Sequence, residues 1–238
     1  MPAHLDTNTN IIGGQDMELG KEGGTWLALK KKGDRNNGEG EKYCIGIILN
    51  MSGVTIDNAT GRGYIIKNYL QSDRTFFDYT DILDNTLFNG YNFVGVEISK
   101  DATVIYHHSN FPNISSRYTG KQIAGFGNSP INNPLKKVTE GTHRFKEIIN
   151  RNIYGEELEK ELLELMKDQT KHLPDTQLEM SNSKDVSSIF VKLQKYGTRT
   201  HTLIFIDYNW NMQFVEHTLE EPIDINKFNW KETRINSA

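Results

Sequence analysis

Cysteine is almost absent from this chain, with Cys44 the only one in 238 residues. No intrachain disulfide can form, and a reducing compartment is the expected setting. Long apolar runs are missing too, and none approaches the roughly 18 residues that suggest a membrane span. The opening residues Met1-Pro2-Ala3-His4-Leu5-Asp6 carry neither an apolar h-region nor an Arg-rich amphipathic pattern, which argues against an export or transit signal. Nor does one sign of charge dominate. The formal net charge is -4, which gives no electrostatic reason to expect nucleic acid. The one run of like charge, Lys30–Lys32, reads as a solvated strand end. A Walker A loop, a strand-linked GxGxxG, HExxH and CxxC are all absent. These absences describe a cytosolic protein with no standard catalytic or cofactor signature.

What is present suits a globular domain. The hydrophobic share is 36%, supplemented by 20 glycines, and the length suffices for a sizeable core. A strand is expected after the glycine turn in Gly23-Gly24-Thr25-Trp26-Leu27-Ala28-Leu29, followed by a polar surface loop over residues 30–42. Tyr43–Leu49 is apolar on both alternating faces, as in a central strand buried on both sides. Ile65, Ile66, Tyr69 and Leu70 fall at helical spacing, and Ser72 is the expected cap of a second helix carrying Phe76, Tyr79 and Leu83. Asn92–Ile98 and Thr103–His107 form an expected hairpin, and Ile123–Phe126 a weak strand. Phe145, Ile148, Ile149 and Ile153 mark a helix ended by Gly155; a second begins at Glu156 and stops at Leu173-Pro174. Strands return at Ser188–Leu193, Thr202–Asp207 and Asn211–His217. Strands, then helices, then strands, without a βαβ rhythm, imply an antiparallel α+β sandwich in a single domain over residues 1–238.

Three places invite a chemical reading. Gly61-Arg62-Gly63 precedes a helix, where backbone N–H groups could hold an anion, although a helix-start turn is the better reading. His107-His108 could contribute a metal or haem ligand, but neighbours on a strand point to opposite faces and cannot chelate one ion together. Cys44 sits inside an apolar strand, where an inert thiol is expected.

The string from Gly13-Gly14-Gln15-Asp16 through Gly23-Gly24-Thr25-Trp26 resembles the segment that follows the NRDE tetrapeptide in the NRDE family, also called the Transport and Golgi organization family. Ile48-Leu49-Asn50, Gly61-Arg62-Gly63, Asn89-Gly90-Tyr91-Asn92, Gly127-Asn128-Ser129 and Tyr196-Gly197-Thr198-Arg199-Thr200 continue the match in family order. The resemblance implies a fold like that of N-terminal-nucleophile hydrolases, an αββα sandwich with antiparallel sheets. In the choloylglycine hydrolase branch of that fold, two Asn side chains and a late Arg serve the reaction. By motif alignment these would be Asn50, Asn128 and Arg199, with amides stabilising an oxyanion and a guanidinium lowering a thiol's pKa. Thr25, Trp26, Asn92 and His107 are the further ligand-binding candidates.

Family members begin with Met-Cys, an apolar strand and Asn-Arg-Asp-Glu, whereas this sequence opens at what corresponds to the loop before Gly13-Gly14. The first strand is therefore expected to be missing, leaving an unpaired edge or gap, and no catalytic set is expected to be intact. Pro2 offers no thiol or hydroxyl, and Cys44 has no free α-amino group of its own as base. The resemblance implies a non-enzymatic factor in Golgi organisation, secretion and haem mobilisation, cytoplasmic or associated with Golgi or mitochondria. Two other readings stand beside it: an amidohydrolase in a longer native form, and a small-molecule or acyl-lipid binding module. Haem is a possible cargo; no resident cofactor, metal, nucleic acid or transmembrane segment is expected, and the sequence leaves the oligomeric state open.

Overall fold

The computed structural model describes all residues except 34–39, 52, 54, 176–183, 195 and 238. Contacts divide the chain into two compact units, Met1–Gln122 with Asn128–Pro130, and Ile123–Gly127 with Ile131–Ala238. Both are α+β, and every strand pairing is antiparallel.

The first unit is one seven-stranded sheet with two helices on one face. Its strands are β1 (His4–Asp6), β2 (Ile11–Gly13), β3 (Leu27–Lys32), β4 (Lys42–Asn50), β5 (Tyr91–Ser99), β6 (Thr103–Asn110) and β7 (Asn113–Thr119), and they neighbour one another in sequence order. The helices are α1 (Gly63–Gln71) and α2 (Phe76–Asp81). β4 is the middle strand, and Tyr43, Cys44 and Ile45 are all buried, as the two-sided apolar pattern requires. Ile65, Ile66, Tyr69 and Leu70 of α1 and Phe76 and Tyr79 of α2 pack onto Ala28, Cys44, Ile48, Tyr91 and Phe93. Each such side chain, fully buried, contributes roughly 1.5–3 kcal/mol. Gly46 and Gly95 are register partners in the middle of this face. A Cβ on Gly46 would meet Ile66 Cγ2 at 2.8 Å, and one on Gly95 would meet the Phe76 ring at 2.4 Å. The paired glycines open the space in which those side chains lie, and Phe76 stacks on Tyr106 there at 5.1 Å between centroids.

The second unit holds α3 (Lys136–Asn150), α4 (Gly155–Met166) and a three-stranded sheet of β8 (Thr200–Ile206), β9 (Met212–Leu219) and β10 (Trp230–Ser237), with β9 in the middle. Ile148, Leu162 and Leu165 pack with Phe145, Leu158, Leu203 and Phe205 to form its helix–sheet core. Beside this, Phe190, His201, Phe228 and Trp230 cluster, with His201 and Trp230 centroids 4.9 Å apart.

Several expectations change. Residues 4–13 are a short hairpin rather than a loop, so the ladder runs from β1 to β7 without the expected gap, and β1 and β7 are its open edges. Of the 30–42 loop, Lys30–Lys32 belong to β3 and Lys42 to β4, and residues 34–39 lie outside the described residues. Thr75 rather than Ser72 caps α2: its Oγ1 accepts from the Asp78 N–H, while Ser72 closes α1 through its own N–H. α3 ends at Asn150, and Gly155 opens α4 instead of ending α3, its φ of +58° being one that glycine adopts readily. α4 stops at Met166, short of Leu173-Pro174. Ile123–Phe126 is not a strand; a Cβ on Gly125 would meet Thr142 Oγ1 of α3 at 1.9 Å, so the segment lies against that helix as irregular chain. Ser188–Leu193 is irregular although Ser188, Phe190 and Val191 are buried, with one isolated bridge between Lys192 and Gly197. Among the described residues, no helix is long and apolar enough to cross a membrane.

Candidate functional site

Four candidate residues of the first unit, Asn50, Asn92, His107 and Asn128, gather where β4, β5 and β6 meet residues 128–130. Strand alternation sends Tyr91, Phe93 and Gly95 toward the helices, so Asn92 and Val94 face the other way. Val94 is the register partner of His107, which places Asn92 diagonally across from the imidazole on that same face. The Asn92 amide is used at both ends: Nδ2 donates to the Ser129 carbonyl at 2.8 Å, and Oδ1 lies 3.0 Å from His107 Nε2. An amide oxygen only accepts, so His107 Nε2 carries the proton. Asn92, His107 and Ser129 are buried, and burial pushes the His107 pKa down to about 4. At neutral pH this is a neutral imidazole tied through Nε2 to Asn92.

Asn128 donates from Nδ2 to the Asn50 backbone carbonyl at 2.7 Å. The structure thus brings Asn50 and Asn128 together, but through the carbonyl of one and the amide of the other. With Asn92 on Ser129, this bond holds residues 128–130 to the ends of β4 and β5. Thr25 Oγ1 donates to the Leu27 carbonyl at 2.9 Å, and its N–H donates to the Gly63 carbonyl, tying the glycine-rich string to the start of α1. Trp26 exposes half of its surface and accepts from the Ile48 N–H through its carbonyl. Arg62 reaches the Gly90 carbonyl at 2.7 Å, which fits the helix-start reading of Gly61-Arg62-Gly63.

His108 faces the opposite side of β6, near the Tyr91 ring. Its Nδ1 is 3.1 Å from Ser115 Oγ, and burial lowers its pKa. The two adjacent imidazoles do point apart. Cys44 is buried on the helix side, where burial raises its thiol to about 11. A thiol so held is protonated and a poor nucleophile. Arg199 belongs to the second unit, where its exposed side chain pairs with Glu221 and its carbonyl accepts from the Leu219 N–H.

A second polar cluster escaped the sequence reading. On the helix-facing side of the three-stranded sheet, the register aligns His201, His217 and Glu232 across β8, β9 and β10. Glu159 of α4 approaches the same place: ligand atoms of Glu159, His217 and Glu232 all lie within 4.8 Å of one another. Arg234, two residues along β10 from Glu232, grips Glu159 bidentately at 2.7 and 3.0 Å and Glu232 Oε1 at 3.0 Å. Finding this cluster from sequence required β10 and its register. Trp230–Ser237 reads as polar and charged, with neither an apolar alternation nor a motif to announce it.

An α+β chain of antiparallel sheets, whose glycine-rich string and strand-end asparagines organise one sheet, is the class these observations define. A family model described as Transport and Golgi organisation 2 matches residues 1–221. The chain belongs to this family. It is 29% identical to Transport and Golgi organization protein 2 of Drosophila melanogaster over 225 residues, covering 88% of this chain and 77% of the relative. It is 27% identical to the Transport and Golgi organization 2 homolog of Mus musculus and to that of Homo sapiens, each over 225 residues, covering 89% of this chain and 78% of the relative.

Proposed function

We propose that the chain is a non-enzymatic factor in transport and Golgi organisation, the processes named in its relatives. The family match over residues 1–221 carries this reading. The chemistry of the side chains supports it. The sole thiol is buried and raised to about 11, the Asn128 amide is committed to the Asn50 carbonyl, and Arg199 is committed to Glu221. Under this proposal residues 1–238 act as one domain with the αββα arrangement of N-terminal-nucleophile hydrolases. The protein works in the cytoplasm, at Golgi or mitochondrial surfaces, and carries a small molecule for which haem is the first candidate.

The test uses cells lacking their own relative of this family, scored for the transit time of a secreted reporter and for Golgi morphology. Expression of the chain is expected to restore both, and the Cys44→Ala variant at equal protein level is expected to restore them equally. Failure of the wild-type chain overturns the proposal. Rescue that Cys44→Ala loses while it remains folded points to thiol chemistry instead. Titration with haem, followed by its visible absorption, is expected to saturate at one equivalent; a featureless titration removes haem as the cargo.

A further inference from the structure

We propose that Glu159, His217 and Glu232 form a binding site for one transition divalent cation, with Zn2+ the best fit. This inference is independent of the proposed function. The three residues come from α4, β9 and β10, and they open into a groove of about 780 Å³ lined also by Glu156, Lys160, Glu164 and Lys167. One imidazole and two carboxylates are borderline-hard donors, a set that suits Zn2+ better than Ca2+ or Mg2+, which prefer oxygen alone. Three protein donors beside an open groove leave a fourth position for water or a small ligand.

One of the three donor pairs already has the spacing an ion needs, and Glu159 lies within 4.8 Å of both. A tetrahedral Zn2+ bound at about 2.0–2.1 Å holds its donors about 3.3 Å apart. His217 Nε2 and Glu232 Oε2 are 3.5 Å apart, and they sit on direct register partners whose backbones the β9–β10 ladder fixes. His217 Nε2 is shielded from solvent and makes no hydrogen bond within the protein. This unpartnered nitrogen is the one that faces Glu232 Oε2.

Arg234 is the apparent obstacle, and its geometry resolves it. On Glu232 it takes Oε1 and leaves Oε2 toward His217. On Glu159 it takes both oxygens along one edge of the carboxylate, and each oxygen keeps a second lone pair. Arg234 then stands behind the ion's carboxylates, the kind of support that orients metal ligands elsewhere. Of the charged residues lining the groove, Glu156, Glu159, Glu164 and Glu232 oppose Lys160, Lys167 and Arg234, leaving one negative charge in excess.

The experiment is calorimetric titration of the chelator-stripped full chain with Zn2+ near neutral pH. One equivalent is expected to bind. His217→Ala and the isosteric Glu232→Gln are each expected to weaken it by about tenfold or more, while His143→Ala, altering an exposed histidine of α3, leaves it unchanged. Folding of each variant is checked by circular dichroism, and Glu232→Gln carries the test if His217→Ala unfolds. Absence of stoichiometric binding overturns the proposal, as does binding unchanged in the folded ligand variants, which would mark an adventitious ion only.

Discussion

The two compact units use buried and half-buried polar groups in different ways. In the first, four candidate side chains are tied to fixed protein partners: Asn92 to Ser129, His107 to Asn92, Asn128 to the Asn50 carbonyl and Thr25 to the Leu27 carbonyl. Such a network specifies where loops dock, because each of these hydrogen bonds fixes a side chain against a particular segment of backbone. In the second, Glu159, His217, Glu232 and Arg234 line an open groove, and His217 Nε2 has no hydrogen bond within the protein. The residues that look most like a site in sequence hold structure. The cluster with spare coordinating capacity carries no motif at all.

The largest expected effects test how each unit is held together. Phe76 is fully buried against Tyr69, Phe77, Phe93 and Tyr106, so Phe76→Ala is expected to cost about 3–5 kcal/mol. Leu162→Ala, in the core of the second unit, is expected to cost about 2–5 kcal/mol. Urea unfolding of each variant measures these losses. A loss below about 1 kcal/mol for Phe76→Ala would show that the aromatic packing on the sheet is not what holds the first unit. Next comes Gly95→Ala, where the new methyl would collide with the Phe76 ring. Overpacking of this kind costs about 1–3 kcal/mol, and pairing it with Phe76→Ala should recover part of that loss, since the colliding ring is gone.

Much of the fold was legible, and the failures share a cause. β4 and α1 were readable because burial on two faces and on one helical stripe each leave a distinct period in the sequence. β7 and β10 did not announce themselves, because edge strands bury little and tolerate polar residues such as Ser115, Arg117, Glu232 and Arg234. Ser188–Leu193 misled for the opposite reason: Phe190 and Val191 are buried without belonging to a ladder, and alternation cannot separate buried irregular chain from strand. The same limits governed the site. Asn92 and His107 could be picked out by residue type and motif, whereas the Glu159–His217–Glu232 cluster depends on an edge-strand register that the sequence does not display.

Two further effects concern pH and the surface. Burial holds His107 and His201 at about 4, against 6.5 for an ordinary imidazole. Between those values the unfolded chain binds protons that the native chain does not, so stability rises with pH. This contribution is complete above about pH 6.5 and is lost as pH falls toward 4, with a limiting slope of about 1.4 kcal/mol per pH unit for each histidine. Thermal unfolding followed from pH 7 downward is expected to show a falling midpoint, with a shallower fall in His107→Gln. A flat profile in the wild-type chain would mean that neither ring is held neutral. Least of all, Arg199→Ala removes an exposed ion pair with Glu221 and is expected to change stability by less than about 1 kcal/mol. A larger loss, measured by the same urea unfolding, would give Arg199 a structural role that an exposed pair does not explain.

The contrast between a committed network and an available cluster comes down to two histidines, His107 and His217. Histidine-selective nuclear magnetic resonance of the folded chain, recorded before and after one equivalent of Zn2+, observes both at once. The account predicts that the His217 ring resonances move on addition of the ion while those of His107 stay in place. Movement of the His107 resonances with those of His217 unchanged would contradict it.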